Sequence, residues 1–296
     1  MDPTAEARAF LTSRRAQLSP TEVGLPPADS RRRVRGLRRD EVAILAGVSS
    51  EYYARLERGR LGGVSPAVLN AVADALRLTT SERTHLFNLA RAAGATGRMP
   101  SAAPDGGDVR PSIQRILDSM TTGAAYVTNS RFEIVAANCL ARELLAPMFE
   151  FAARTGTPPS APRFAFLDPH GPDFYRDWEA VSHNLVAALH AAIGYFPNDP
   201  GIAGLVTELE SGSELFSRLW ARRDVFFHRA GVKVFIHPVA GELILDFEVL
   251  AVPNEPGMAL TVFNAAEGSE DARKLSALAE RAHEPFESSA RDFVIR

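Results

Sequence analysis

The chain has 296 residues, 46% of them hydrophobic and 23% charged, the balance of a globular protein long enough for two domains. No apolar run approaches the roughly 18 residues a membrane helix needs, and the first residues lack a basic-then-apolar leader pattern. The expected compartment is therefore the cytoplasm, with no membrane partner. A single cysteine, Cys139, excludes an internal disulfide framework and a cysteine-based zinc site.

The net charge of −3 hides an asymmetry. Residues 1–100 carry 16 Arg against 10 acidic residues, a net of +6, whereas the remainder has 17 basic and 26 acidic residues, a net of −9. Phenylalanine is skewed the other way, with 15 of 17 beyond residue 100. One half is suited to an anionic partner, the other to enclosing apolar volume.

In chain order, the pattern predicts a helix over 4–17 behind Asp2 and Pro3. Further helices follow over 38–46 (stopped by Gly47), 49–58 (capped by Ser49, closed by Gly59), 66–76 (capped by Ser65) and 82–93 (capped by Ser81). Gly94–Asp108, rich in Gly, Pro and Ala, reads as a linker. Beyond it come a helix over 111–120 and a hairpin, 124–129 with 133–138, and then a Pro-containing loop over 155–163. Helices are expected over 173–195, 200–210 and 214–224, and strands over 231–238, 242–251 and 258–265. Leu243, Leu245, Phe247 and Val249 alternate with Glu242, Asp246 and Glu248, the period of a half-buried antiparallel strand. A last helix is expected over 269–283. These signals divide the chain into an all-α domain (1–95), a linker (96–109), an α+β domain with a five-stranded antiparallel sheet and inserted helices (110–283), and a carboxy-terminal tail (284–296).

The segment GLRRDEVAILAGVSSEYYARLERGR, residues 36–60, carries the strongest motif. Val42, Ala43 and Ala46 give a small apolar face, Val48 plugs a turn, and Tyr53 and Leu56 point inward from the second helix. This is the layout of a helix-turn-helix, whose second helix enters the major groove amino end first. Base contacts then fall to Ser50, Glu51, Tyr52 and Arg55, with Ser49 at the head of the helix also counted on the DNA-binding surface, while Arg38, Arg39, Arg58 and Arg60 suit phosphate contacts that position without reading sequence. The expected macromolecular partner is a double-stranded DNA operator.

These residues resemble the Xre/phage-repressor helix-turn-helix family over all five front helices. The resemblance implies a lambda-repressor-like fold and an internal ion pair between Arg15 and Glu57. Where simple members have a short turn, this chain inserts 18–36, with Arg31–Arg33 and Arg35 able to reach backbone or minor groove. The strings MTTGAAYVTNSRFEIVAANCLARELL, FYRDWEAV, LFSRLWARRDV and HPVAGELILDFEVL, with GLRRDEVA in front, resemble the MmyB-like transcription regulators from about Ala7 to about Leu278. That family joins an Xre-type domain to a PAS-like ligand-binding domain, and the resemblance implies a ligand of the fatty-acid kind. Arg223 stands where members often have His.

Apolar concavities with a few orienting polar groups make ligand sites. Phe132, Phe174, Phe216, Phe226, Phe227, Phe235, Phe247 and Phe263 are candidate walls, although each is as well read as ordinary core. Asn138, Tyr175, Arg176, Trp178, Arg222 and His237 are the polar ligand-binding candidates. Asn138 has an equally good role as a helix cap, and His237 as a strand-end hydrogen bonder. For catalysis the sequence offers little: Cys139 reads as buried and inert, and His183 and His190, seven apart, make no metal site by themselves. No catalytic residue, metal ligand or obligatory cofactor is expected, and no haem or flavin pattern stands out. The reading is a cytoplasmic, homodimeric, ligand-responsive DNA-binding regulator and not an enzyme. The alternative is a constitutive DNA-binding protein whose second domain serves only dimerisation or protein interaction.

Overall fold

The computed structural model describes residues 2–26, 36–94, 109–226 and 229–283. The amino-terminal domain consists of α1 (Pro3–Gln17), α2 (Arg39–Leu45), α3 (Ser50–Glu57), α4 (Pro66–Ala75) and α5 (Thr80–Gly94), with a short 3-10 turn at Thr21–Val23. Three of the expected caps are in place: Asp2, Ser49 and Ser65 accept from the backbone of Thr4, Tyr52 and Val68. The fourth is not: Ser81 lies inside α5, which starts earlier because Thr79 accepts from the Glu82 amide while its own amide donates to the Glu82 carboxylate at 2.7 Å. The helices close on Phe10, Leu11, Val42, Tyr53, Leu56, Leu69, Val72, Leu86 and Leu89, all buried. The Arg31–Arg33 and Arg35 cluster, the 96–108 stretch and Phe227 lie outside the described residues.

The second domain starts with α6 (Pro111–Ser119), β1 (Ala124–Thr128) and β2 (Ile134–Ala137). It continues through α7 (Cys139–Leu144), α8 (Ala146–Thr155), α9 (Ala161–Leu167), α10 (Gly171–Phe174), α11 (Trp178–Tyr195), α12 (Pro200–Gly212) and α13 (Glu214–Trp220). β3 (Ala230–His237), β4 (Gly241–Ala251), β5 (Ala259–Asn264) and α14 (Glu270–His283) follow. The five strands form one antiparallel sheet in the order β2-β1-β5-β4-β3. The helical block thus sits between the second and third strands, as the sequence predicts.

Two further local expectations fail. The helix expected over 173–195 is broken at Tyr175–Asp177, because that segment turns to meet strand β3: Tyr175 bridges Phe235 and the Arg176 amide donates to the Val234 carbonyl at 3.1 Å. The loop expected over 155–163 ends early, since Pro162 sits in the first turn of α9, where its missing N–H costs nothing.

Strand alternation gives the sheet two unlike faces. The outer face of β1, β2 and β5 packs under α6 through Ile113, Leu117, Ala125, Val127, Ala136 and Met258. The inner face carries Phe235, Leu243, Leu245 and Phe263 against the helical block, whose α11 contributes Val181, Val186, Leu189 and Ile193.

The two domains share a built interface. Helix α11 lies against α5, and Ala191 and Val225 complete the apolar core of the amino-terminal domain. Gly194 permits this approach, because a Cβ there would lie 2.4 Å from His85 Nδ1.

Candidate functional site

The DNA-reading surface is built by α2 and α3. Gly47 takes a left-handed φ of +64° in the turn between them, and Tyr53 and Leu56 are buried beneath α3. What remains outward is the amino end of α3. Ser49, Ser50, Glu51 and Arg55 are exposed and Tyr52 is half-buried. The Arg55 guanidinium lies over the Tyr52 ring at 4.6 Å, so the two present themselves as a unit.

Glu57 anchors this helix from below. It is 2% exposed and accepts from Arg15 Nε at 2.8 Å and Thr12 Oγ1 at 3.3 Å. The ion pair between Arg15 and Glu57 is therefore present, and Arg39 joins it as a second cation on the other carboxylate oxygen. Hydrogen bonding to Glu57 holds the Arg39 pKa above its ordinary value. Arg39 is thus committed to Glu57 while its side chain stays 60% exposed, and phosphate contact is not its whole role. Arg38 heads α2 and is exposed, its amide donating to Glu41 at 2.6 Å. Arg60 is exposed beyond α3. Arg58, also exposed, lines an open groove of about 600 Å³ with Asp2, Arg8 and Arg223 at the domain junction, away from the reading end of α3.

That junction is charged and largely buried. Arg14 donates to Glu82 at 2.6 Å, to Asp224 at 2.9 Å and to the Arg223 carbonyl at 2.9 Å. Arg223, where the resemblance led to an expected His, donates to the buried Glu6 at 2.7 Å. His190 stacks on Trp220 with centroids 3.7 Å apart and bonds the Trp220 carbonyl, while His183 bonds Asp224 at 2.7 Å. Burial works to raise the Glu6 pKa, but His190, Arg223 and His85 outweigh it and the carboxyl is held below its ordinary value. Among the described residues neither nitrogen of His85 has a hydrogen-bond partner, and burial depresses its pKa to about 3.

The six polar candidates in the second domain separate on inspection. Asn138 caps α7 and is used up: its amide donates to Met120 and Gly123 carbonyls, and its oxygen accepts from Ala125 and Ala141. His237 donates from Nε2 to the Glu143 carbonyl at 3.1 Å and accepts at Nδ1 from Val239 and Ala240, and burial lowers its pKa. Trp178 donates to the Ala165 carbonyl at 3.0 Å. Arg176 pairs with Glu242 at the surface. Arg222 pairs with Asp224 at the domain junction, at 3.1 Å. These five have structural partners and do not converge on one place. Tyr175 differs, standing in the aromatic interior against Phe174 and Phe235 at 5.1 and 5.9 Å, with its pKa raised by burial.

The candidate phenylalanines sort likewise. Phe174, Phe235, Phe247 and Phe263 gather on the inner sheet face. Phe216 stacks with Trp220, Phe226 meets His183 at the junction, and Phe132 is a partly buried neighbour of the main core. Cys139 corrects a further expectation: it opens α7 and is exposed, because Leu140, Ala141 and Leu144 take the inward positions. Among the described residues no three His, Cys, Asp or Glu side chains are placed to hold a metal ion, and no helix is long and apolar enough to cross a membrane.

One residue that sequence reasoning missed stands at the centre of the aromatic group. Lys233 lies on the inner face of β3, between Gly231 and Phe235. Its Nζ lies 5.7, 5.6 and 5.9 Å from the ring centres of Tyr175, Phe247 and Phe263. Composition held the signal. The chain has 31 Arg but only two Lys, 233 and 274, and Lys233 falls at a position whose strand alternation demands an apolar side chain.

A family model described as the MmyB-like transcription regulator ligand binding domain matches residues 109–278, and a helix-turn-helix domain model matches residues 9–86. No curated protein matches the chain. The first match alone spans more than half the sequence, and its limits enclose the sheet, the aromatic interior and α11: the chain belongs to the MmyB-like transcription regulators.

Proposed function

We propose that this regulator binds a specific operator through α3 and that its second domain takes up a small amphipathic molecule, a fatty acid or close analogue, whose presence changes operator affinity. The observation that carries the reading is the pairing of a DNA-binding and a ligand-binding family domain across one buried interface. Ser49, Ser50, Glu51, Tyr52 and Arg55 read bases, and Arg38, Arg39 and Arg60 meet phosphates. Binding, not catalysis, is its activity, and the cytoplasm its compartment. It acts as a homodimer, since helix-turn-helix proteins commonly meet two half-sites about one helical turn apart. Selection of operators from a random DNA library, repeated with and without a graded series of fatty acids, tests the reading. A selected inverted repeat whose affinity changes with one chain-length range supports it; sequence-blind binding, or indifference to every acid, refutes it.

A second reading has its own observation. Val232, Ile244 and Leu250 are 60%, 48% and 52% exposed on the outer face of β3 and β4, an apolar strip suited to self-association. In that reading the second domain only dimerises. A Val232→Glu/Ile244→Glu protein that becomes monomeric, in a background where no lipid alters DNA binding, favours it.

A further inference from the structure

The inner face of the sheet carries a cation to which no described residue supplies a counter-charge. Among the described residues Lys233 has no hydrogen-bond or ion-pair partner, and its Nζ is enclosed by the rings of Tyr175, Phe247 and Phe263. The acidic residues of β4, Glu242, Asp246 and Glu248, occupy the alternate positions and belong to the opposite face of the strand. Burial lowers the Lys233 pKa to about 8, with no carboxylate among the described residues near enough to oppose it. Aromatic faces recover part of the lost hydration of an ammonium, but they do not replace an anion. Nearby on the sheet, Tyr126 is bonded to Thr261 of the neighbouring strand, and among the described residues the Tyr175 hydroxyl has no hydrogen-bond partner.

We propose that Lys233, with the Tyr175 ring 5.7 Å from its Nζ, is the anion-binding end of the ligand site, receiving the carboxylate of an amphipathic monoanion whose apolar body lies along Phe235, Phe247 and Phe263. The arrangement selects for charge at one end of the molecule and for apolar area along the rest. A carboxylate gains a charge-assisted bond from Lys233 that an alcohol of the same length cannot make. Lysine suits this place better than arginine, because a compact ammonium fits among three rings and presents rotatable donors. The assignment rests on the amphipathic-ligand reading above.

The test uses the full chain and two probes, dodecanoate and 1-dodecanol, both below their aggregation limits, titrated calorimetrically against the parent, Lys233→Met and Tyr175→Phe. The parent is expected to bind dodecanoate at least about tenfold tighter than dodecanol, a margin typical of one charge-assisted hydrogen bond. Lys233→Met is expected to abolish that margin, and Tyr175→Phe to narrow it. If the parent binds acid and alcohol equally, or Lys233→Met keeps the preference, the assignment of Lys233 is overturned while the ligand reading stands. If neither probe binds the parent, the ligand reading falls and the assignment with it. The parent comparison needs no variant and is independent of any folding defect.

Discussion

A lysine held for ligand binding must cost the empty protein stability, and the cost at Lys233 is calculable. Its pKa is about 8 in the fold against an ordinary 10.5, with burial as the cause. The unfolded chain therefore holds this proton more tightly than the folded one, so stability rises with pH between about 8 and 10.5 and carries the full penalty below 8. The shift corresponds to about 3 kcal/mol at pH 7 and falls to about 1 kcal/mol at pH 10. Lys233→Met keeps a long apolar stem and removes the charge. Allowing about 0.5–2 kcal/mol for lost contact with the three rings, the variant should be about 1–3 kcal/mol more stable than the parent at pH 7. Its advantage should shrink at pH 10. Calorimetric melting of both proteins at the two pH values, without ligand, measures this directly. A variant less stable than the parent at pH 7, or one with an equal advantage at both pH values, would show that the ammonium is already compensated.

Other expectations follow from the reading surface and the junction. Arg55→Ala should lose about 1–3 kcal/mol at one operator position and relax specificity there, whereas Arg60→Ala should weaken all sequences alike and reduce the salt slope by about one unit. Arg39 is the wrong residue for that comparison, because removing it also strips a partner from buried Glu57. His85, with a pKa near 3 against an ordinary 6.5, is neutral in the fold and charges on unfolding. Stability should accordingly fall as pH drops from about 6.5 towards 3, and be unaffected by this group above 6.5. His85→Leu should move the acid-unfolding midpoint lower, and an unchanged midpoint would place the acid sensitivity elsewhere.

The sequence was most legible where function depends on local pattern. The cap Ser49, the apolar Val42, Ala43, Tyr53 and Leu56, and the stop at Gly47 are all read within a few residues, and they place α2 and α3. The Arg15–Glu57 pair, 42 residues apart, came from resemblance and not from spacing. The ligand interior was less legible because its polar residues are sorted by distant partners. Asn138, His237 and Trp178 look like ligand-facing groups in sequence, yet each is occupied by a backbone carbonyl or amide that only the folded chain supplies. Arg222 was drawn to the junction by Asp224. Lys233 was hidden for the opposite reason: alternation places it among apolar residues, where a charged side chain is easily taken for the outward-facing register.

The junction explains how two such sites can influence each other. Helix α11 is 18 residues long, about 27 Å. Its amino end begins three residues after Tyr175, beside Lys233, and its carboxy end holds Gly194 against His85 of α5. Along the way it gives Val186, Leu189 and Ile193 to the ligand-domain core and Ala191 to the DNA-domain core. A helix packed into both cores cannot shift at one end without disturbing close packing at the other. Coupling requires that the ligand favour one of two arrangements of this element. Gly194→Ala tests the route, because the added Cβ would sit 2.4 Å from His85 Nδ1 and the helices must separate or His85 must turn away. Overpacking of this kind costs about 1–3 kcal/mol, spent at the junction and far from both binding surfaces. The variant should bind dodecanoate and operator separately with affinities near the parent's, while the change in operator affinity caused by dodecanoate shrinks. Coupling that survives undiminished in Gly194→Ala would mean that the signal does not travel through the α5–α11 contact, and would leave the Arg14–Asp224 side of the junction as the route to examine.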